Sequence, residues 1–407
     1  MAEPAPGPEH DGPRPSRPRV RADLVWSEQR DVSGAAWVVK DPRADRYFRL
    51  DERSGRLAQR LDGTRTAAEA AAGDGADEEA LDPEELEELL EDLDGLGLLE
   101  GGVATAAPRP RRSSPLFLRL PLGDPNRLLG RLARLAGPLF HPVFVVVGGL
   151  AVVVAAVLAV ANVAALRADA ERLLAWPELL YLWIPALVVI ALHETAHGVA
   201  CRRFGGEVHE LGLVLYYFQP CAYCDVTDAW MIADRGRRLW VLGAGPFLEA
   251  ALWAAAVFVW LAAEPGTPVF WCAAGIAATS GIKTLVNLNP LIRLDGYYLL
   301  SDGLGIPNLR SRAFRYLWAR LRGAEAEPVG RLERAVFLVY APVAFAFSAA
   351  LIVWFGVWVY GVALERLGGW GHLAFWAAVA VLLLPAAVSS LRQRSSHPSE
   401  STRTAPR

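Results

Sequence analysis

Beyond residue 140 the chain is dominated by apolar stretches long enough to cross a hydrocarbon core of about 30 Å, which excludes an ordinary soluble enzyme. Six segments have this character, at 142–166, 178–201, 239–263, 268–292, 335–364 and 373–391. Composition agrees, since 53% of the 407 residues are hydrophobic and mean hydropathy is +0.24. The formal net charge of −3 comes with no basic stripe interleaved with aromatics, so no nucleic-acid partner is expected. The lipid bilayer is the first partner the sequence calls for.

Arginine placement orients the spans. Arg127, Arg131 and Arg134 precede the first, and Arg202, Arg203, Arg235, Arg237 and Arg238 lie between the second and third. Arg310, Arg312, Arg315, Arg320 and Arg322 follow the fourth, and Arg392 and Arg394 follow the sixth, whereas the opposite loops carry only Arg167, Arg172 and Arg366. Positive residues stay inside, so both termini are expected in the cytoplasm. Lys40 and Lys283 are the only lysines. With the richness in alanine, that bias points to a GC-rich bacterial genome and so to a bacterial inner or plasma membrane.

Ahead of the spans, residues 1–22 are Pro-rich and polar, with no apolar core of a secretory signal, and read as a disordered tail. Residues 23–101 read as a small soluble α+β domain. Ala36–Val39 and Tyr47–Leu50 are expected strands around the turn-rich Asp41–Asp45. A helix follows, with Asp82 as its cap, Pro83 in the first turn, Glu85 completing a capping box and Gly95 just past its end. Leu86, Leu89, Leu90 and Leu93 form its apolar stripe, and its other face is acidic. Residues 102–126 read as a flexible linker, 127–392 as the membrane domain and 393–407 as a second disordered tail. On this reading the tethered domain recruits substrate, preferring a basic segment, and holds no catalytic group.

Chemistry concentrates where the second span meets His193-Glu194-Thr195-Ala196-His197. Residues four apart share a helix face, so both imidazoles can converge on one metal ion, with Glu194 beside them to take a proton from water. Each ionisable group within a span costs roughly 2.5–3.5 kcal/mol on insertion scales, so their accumulation there calls for a compensating role. A catalytic zinc takes three protein ligands and leaves one position open. Asp295 is the best third ligand, at the cytoplasmic end of the fourth span, where Pro290 breaks the helix and Gly296 permits a tight turn. Asp225 and Asp228 compete for that role and read as hairpin or turn residues. Cys221 and Cys224 have CxxC spacing, which alone is half of a tetrahedral site. With Cys201 and Cys272 they lie in or near the spans and suggest no disulfide framework.

HExxH at 193–197 and NxxPxxxLDG at 287–296 together resemble the site-2 protease family of intramembrane metalloproteases. The resemblance implies Zn2+ on His193, His197 and Asp295, Glu194 as general base, and Asn287 as a contact to the substrate backbone. It also implies a short membrane-associated β-hairpin within 206–230. One departure is Glu249, in Ala244-Gly245-Pro246-Phe247-Leu248-Glu249, where the family has Asn. Glu249 is read as a structural carboxyl or an outer partner of a ligating histidine. No PDZ-like domain separates the motifs. Tyr47–Leu50, Leu61-Asp62-Gly63-Thr64 and the Leu-rich helix resemble the PqqD-type winged-helix domain, which binds leader peptides. The expected architecture is mainly α, with six spans, a β-hairpin and a small winged-helix-like N-terminal domain. The expected function is a membrane zinc metalloendopeptidase acting on peptides or membrane proteins. Its alternative is a non-catalytic peptide-binding or export-partner protein with a vestigial zinc site, against which the intact Glu194 argues. A six-span transporter is disfavoured, because no broken segments recur in corresponding halves.

Overall fold

Three antiparallel strands open the fold. In the computed structural model, which describes residues 16–31, 34–72, 82–101, 117–216 and 219–379, β1 (Val25–Asp31) pairs with β2 (Gly34–Asp41) and β2 with β3 (Arg46–Asp51). β2 and β3 contain the two expected strands. β1 is additional, because Ser27-Glu28-Gln29-Arg30 lacks the apolar alternation that marks a strand. α1 (Glu52–Arg60), α2 (Ala67–Ala71) and α3 (Pro83–Gly95) follow. Asp51 caps α1 by accepting from the Ser54 N–H, and Thr66 with Glu69 forms a capping box on α2. Leu57, Leu90, Leu93, Val39 and Leu50 close the core of this domain.

Three expectations need correction here. Asp82 makes no side-chain cap bond at the start of α3. The left-handed residue beyond that helix is Gly97 (φ +71°) and not Gly95, which is still helical. The chain reverses at Gly97 so that the Leu98 N–H reaches back to the Leu93 carbonyl at 2.9 Å. The tail is also shorter than 1–22. Val20 donates to the Leu61 carbonyl at 2.7 Å, and the Arg21 guanidinium is buried against Asp41 at 2.7 Å.

The linker is likewise shorter than 102–126. Residues 102–116 lie outside those described, and β4 (Phe117–Pro121) is a strand paired with β5 (Leu211–Tyr216). β5 in turn pairs with β6 (Gln219–Cys224), so the expected hairpin is two strands of a three-stranded sheet in the order β4-β5-β6. α4 (Asn126–Leu135) begins within the former linker, and its Leu129 and Ala133 are buried against Val199 and Ala200.

Among the described residues, five helices are long and apolar enough to cross a membrane. They are α5 (Pro142–Ala161), α7 (Leu179–Arg203), α8 (Arg235–Ala262), α9 (Pro268–Asn287) and α12 (Arg331–Leu367). α6 (Val163–Arg172) continues from α5 after Asn162, whose side chain donates to the Leu158 carbonyl and ends the first span earlier than residue 166. α7, α8 and α9 pack on one another, and small residues let them approach. Ala155, Ala159, Ala254 and Ala277 fill the contact of α5, α8 and α9, while Ala273 and Ala274 pack near Trp260 and Leu173. α9 stops at Asn287, so the expected span 268–292 ends in an irregular turn leading into α10 (Asp295–Leu304).

Residues 310–407 form a second unit containing most of α11 (Leu309–Leu321) and α12. Arg312 ties them by donating to Glu333 at 2.9 Å, and the rings of Tyr316 and Phe337 pack together. Thirty-seven residues make α12 roughly 55 Å long at 1.5 Å per residue, more than one hydrocarbon core requires. Residues 370–379 are helical, and the remainder of the expected sixth span, 373–391, lies outside the described residues.

Candidate metal centre

Two turns of α7 place His193 and His197 on the face it presents to α8, and both are buried. The break after α9 returns the chain so that Asp295, first residue of α10, meets them. His193 Nε2 and His197 Nε2 lie 3.0 and 3.2 Å from Asp295 Oδ2, and 3.2 Å from each other. Four-coordinate zinc with ligands near 2.0–2.1 Å would separate its ligand atoms by about 3.3 Å. The three atoms thus stand close to a tetrahedral spacing. His193, His197 and Asp295 form the group among the described residues that could hold a metal ion.

The other imidazole nitrogens fix which edge of each ring faces Asp295. His197 Nδ1 is 2.7 Å from the Val241 carbonyl, an acceptor, so its proton sits there and Nε2 presents a lone pair. His193 Nδ1 is 2.9 Å from Glu249 Oε2, an off-axis approach and not a straight hydrogen bond, yet that carboxylate again draws the proton. With both rings neutral, two lone pairs and a carboxylate oxygen face one another within 3.2 Å. A proton on one Nε2 or a metal ion makes that arrangement favourable, and the donor set of two imidazoles and a carboxylate suits zinc. Gly245 makes room for it, since a Cβ there would fall on the Nε2 atoms of both histidines.

Glu249 is fully buried, and Lys283 Nζ donates to both of its oxygens, at 2.9 and 2.8 Å. The carboxyl at the position where the resembled family has Asn therefore stands between His193 and a lysine from α9. A lone lysine within a span was the signal pointing to it. Replacing Lys283 by Met should weaken metal binding about 10- to 100-fold, as loss of an outer partner typically does. Lys283→Arg should restore part of it. Equal affinity in Lys283→Met and wild type, measured by competition with a chelating dye, would leave the pair without a role at the metal.

Asn287, which the resemblance implies as a contact to the substrate backbone, is hydrogen-bonded to Asp295. Its Nδ2 donates to Asp295 Oδ2 at 2.7 Å, and its Oδ1 faces the Asp295 N–H at 3.5 Å, so it holds the third ligand in place. It is not among the residues lining the adjoining cavity.

That cavity measures about 430 Å³ and is lined by Glu194, His197 and Asp295 on the metal side. Cys224 and Asp225 also line it. Burial pushes the Cys224 thiol up to about 12, so it stays protonated, and all four cysteines are free. Asp225 accepts from the Thr227 N–H and hydroxyl, as a turn residue does. Asp228 is buried 2.6 Å from Lys40 Nζ and accepts from the Glu207 N–H. Neither aspartate joins the metal group. Arg238, on α8, is clamped to Asp302 of α10 at 3.0 Å, which fixes the element carrying Asp295 and has no motif to announce it.

No protein-family model matches this chain, and no curated protein or solved structure was found to be similar to it.

Proposed function

We propose that this chain is a membrane-embedded zinc metalloendopeptidase of the site-2 protease type. The observation that carries the reading is the convergence of His193 Nε2, His197 Nε2 and Asp295 Oδ2 beside Glu194, within a bundle of apolar helices. Zinc bound there would supply Lewis acidity at a peptide carbonyl and acidify water. Glu194 takes the proton from the attacking water and returns it to the leaving amine. His193 and His197 keep their Nδ1 protons on Glu249 and Val241, which holds both rings in one tautomer through turnover. β6 is an edge strand ending at Cys224 on the cavity wall, so an extended peptide could add to it beside the metal. The N-terminal domain, on its PqqD-like resemblance, is the recruiting element.

Cells carrying Glu194→Gln protein should accumulate an uncut precursor that wild-type cells process. Membrane peptidomes that are identical in the two strains would remove the peptidase reading. Orientation follows from the arginine asymmetry, with both termini and residues 202–238 in the cytoplasm. Reporter fusions at 168 or 266 should then read as external. A cytoplasmic signal from either would reverse it.

A further inference from the structure

The N-terminal domain reaches the metal cavity directly. Gln29, Arg30 and Arg49, from β1 and β3, line it together with Glu194, His197 and Asp295. The contact that holds the domain there is polar and mostly buried. Lys40 Nζ, on β2, donates to Asp228 Oδ1 at 2.6 Å, with the two side chains 13% and 9% exposed. The Tyr47 hydroxyl donates to the same oxygen at 3.0 Å, and Gln29 Nε2 donates to the Trp230 carbonyl at 2.5 Å. Burial alone would raise the Asp228 carboxyl. The hydrogen bonds from Lys40 and Glu207 and the lysine's charge outweigh it and hold the carboxyl below the usual range. A buried ion pair adds little to stability over an apolar contact but fixes one register of docking. The chain's two lysines are thus both committed to largely buried carboxylates, one under the metal ligands and one at this interface.

We propose that the peptide site is composite: substrate lies between the metal centre and the N-terminal domain, whose Gln29, Arg30 and Arg49 form its second wall, latched in place by Lys40 and Asp228. Only the nature of the ligand, an extended peptide, rests on the peptidase reading. A cavity of about 430 Å³ shared by two domains is where a small number of convergent polar groups fix a ligand's orientation.

The test is photo-cross-linking in full-length, zinc-loaded Glu194→Gln protein in detergent, which binds without turnover. A photoreactive benzoylphenylalanine is placed at 30, at 49 or, as a control on the exposed side of α1, at 53. The probe is a biotinylated peptide of about ten residues, apolar apart from a central polar pair. Positions 30 and 49 should capture it and 53 should not. Lys40→Met should lower capture at 49 about tenfold or more by stranding the buried Asp228 charge. Lys40→Met/Asp228→Asn, which removes both charges and keeps the acceptor for the Glu207 N–H, should recover most of it. Unchanged zinc content in both variants shows that the membrane part is intact. No capture at 30 and 49, equal capture at 53, or capture at 49 indifferent to Lys40→Met would each overturn the composite site. Capture as expected from a protein whose wild type cuts nothing would overturn the peptidase reading and leave the composite site standing.

Discussion

Purified protein should hold about one zinc per chain, as a single three-ligand site requires, and lose it when either His197 or Asp295 becomes alanine. The expected fall in affinity exceeds the 10- to 100-fold typical of an outer partner, because a ligand atom itself is removed. In Asp295→Ala the damage spreads, since Asn287 loses its acceptor at 2.7 Å and both imidazole lone pairs then face only each other. Glu194→Gln separates binding from chemistry. It should keep the metal while turnover drops about 10²–10⁴-fold, the usual contribution of a general acid–base group. Metal analysis by mass spectrometry on the same preparations reads both effects. Full zinc occupancy in Asp295→Ala would mean that the third ligand has been misassigned, and Asp225, on the same cavity, would be next to test.

Gly245→Ala should be nearly as damaging, although it adds a single methyl group. The added carbon would lie on the Nε2 atoms of His197 and His193. Neither ring can yield cheaply, because His197 is tied to the Val241 carbonyl and His193 lies against Glu249. Zinc affinity should therefore fall by a factor comparable to loss of an outer partner, about 100-fold. Gly243→Ala, one turn fraction away on α8, is the matched control, since its new carbon would meet only Leu299 at 3.8 Å, an ordinary contact. Residue 245 precedes Pro246, and a side chain there also costs some helix stability. Zinc titration well below the unfolding temperature separates that cost from the loss of the site. A Gly245→Ala protein with wild-type zinc affinity would show that the histidines do not converge as described.

What could be read from the sequence alone was what is encoded locally. Membrane-length helices follow from continuous apolar runs, and the shared face of His193 and His197 follows from their spacing of four on α7. The irregular chain before Asp295 follows from Pro290, and the hairpin falls within the 206–230 that the family resemblance implied. Each is a property of neighbours in the chain, so no partner from elsewhere was needed to see it. Element ends were less legible. Asn162 and the reversal at Gly97 depend on hydrogen bonds to Leu158 and Leu93 that hydrophobic pattern does not register.

Only the tertiary structure decided the rest. Glu249 stands between His193 and Lys283 because Lys283, on another helix, comes within 2.9 Å of it. Sequence left it open between a structural carboxyl and an outer partner of a histidine. Asn287 meets Asp295 because the break after α9 folds the chain back on itself. The N-terminal domain, expected on a loose tether, is held on the cavity by Lys40 and Asp228, which stand 188 positions apart in sequence. The physical reason is the same in each case. A charge is assigned its role by the dielectric and the partner it meets, and both are set by packing between segments whose sequences carry no mark of one another.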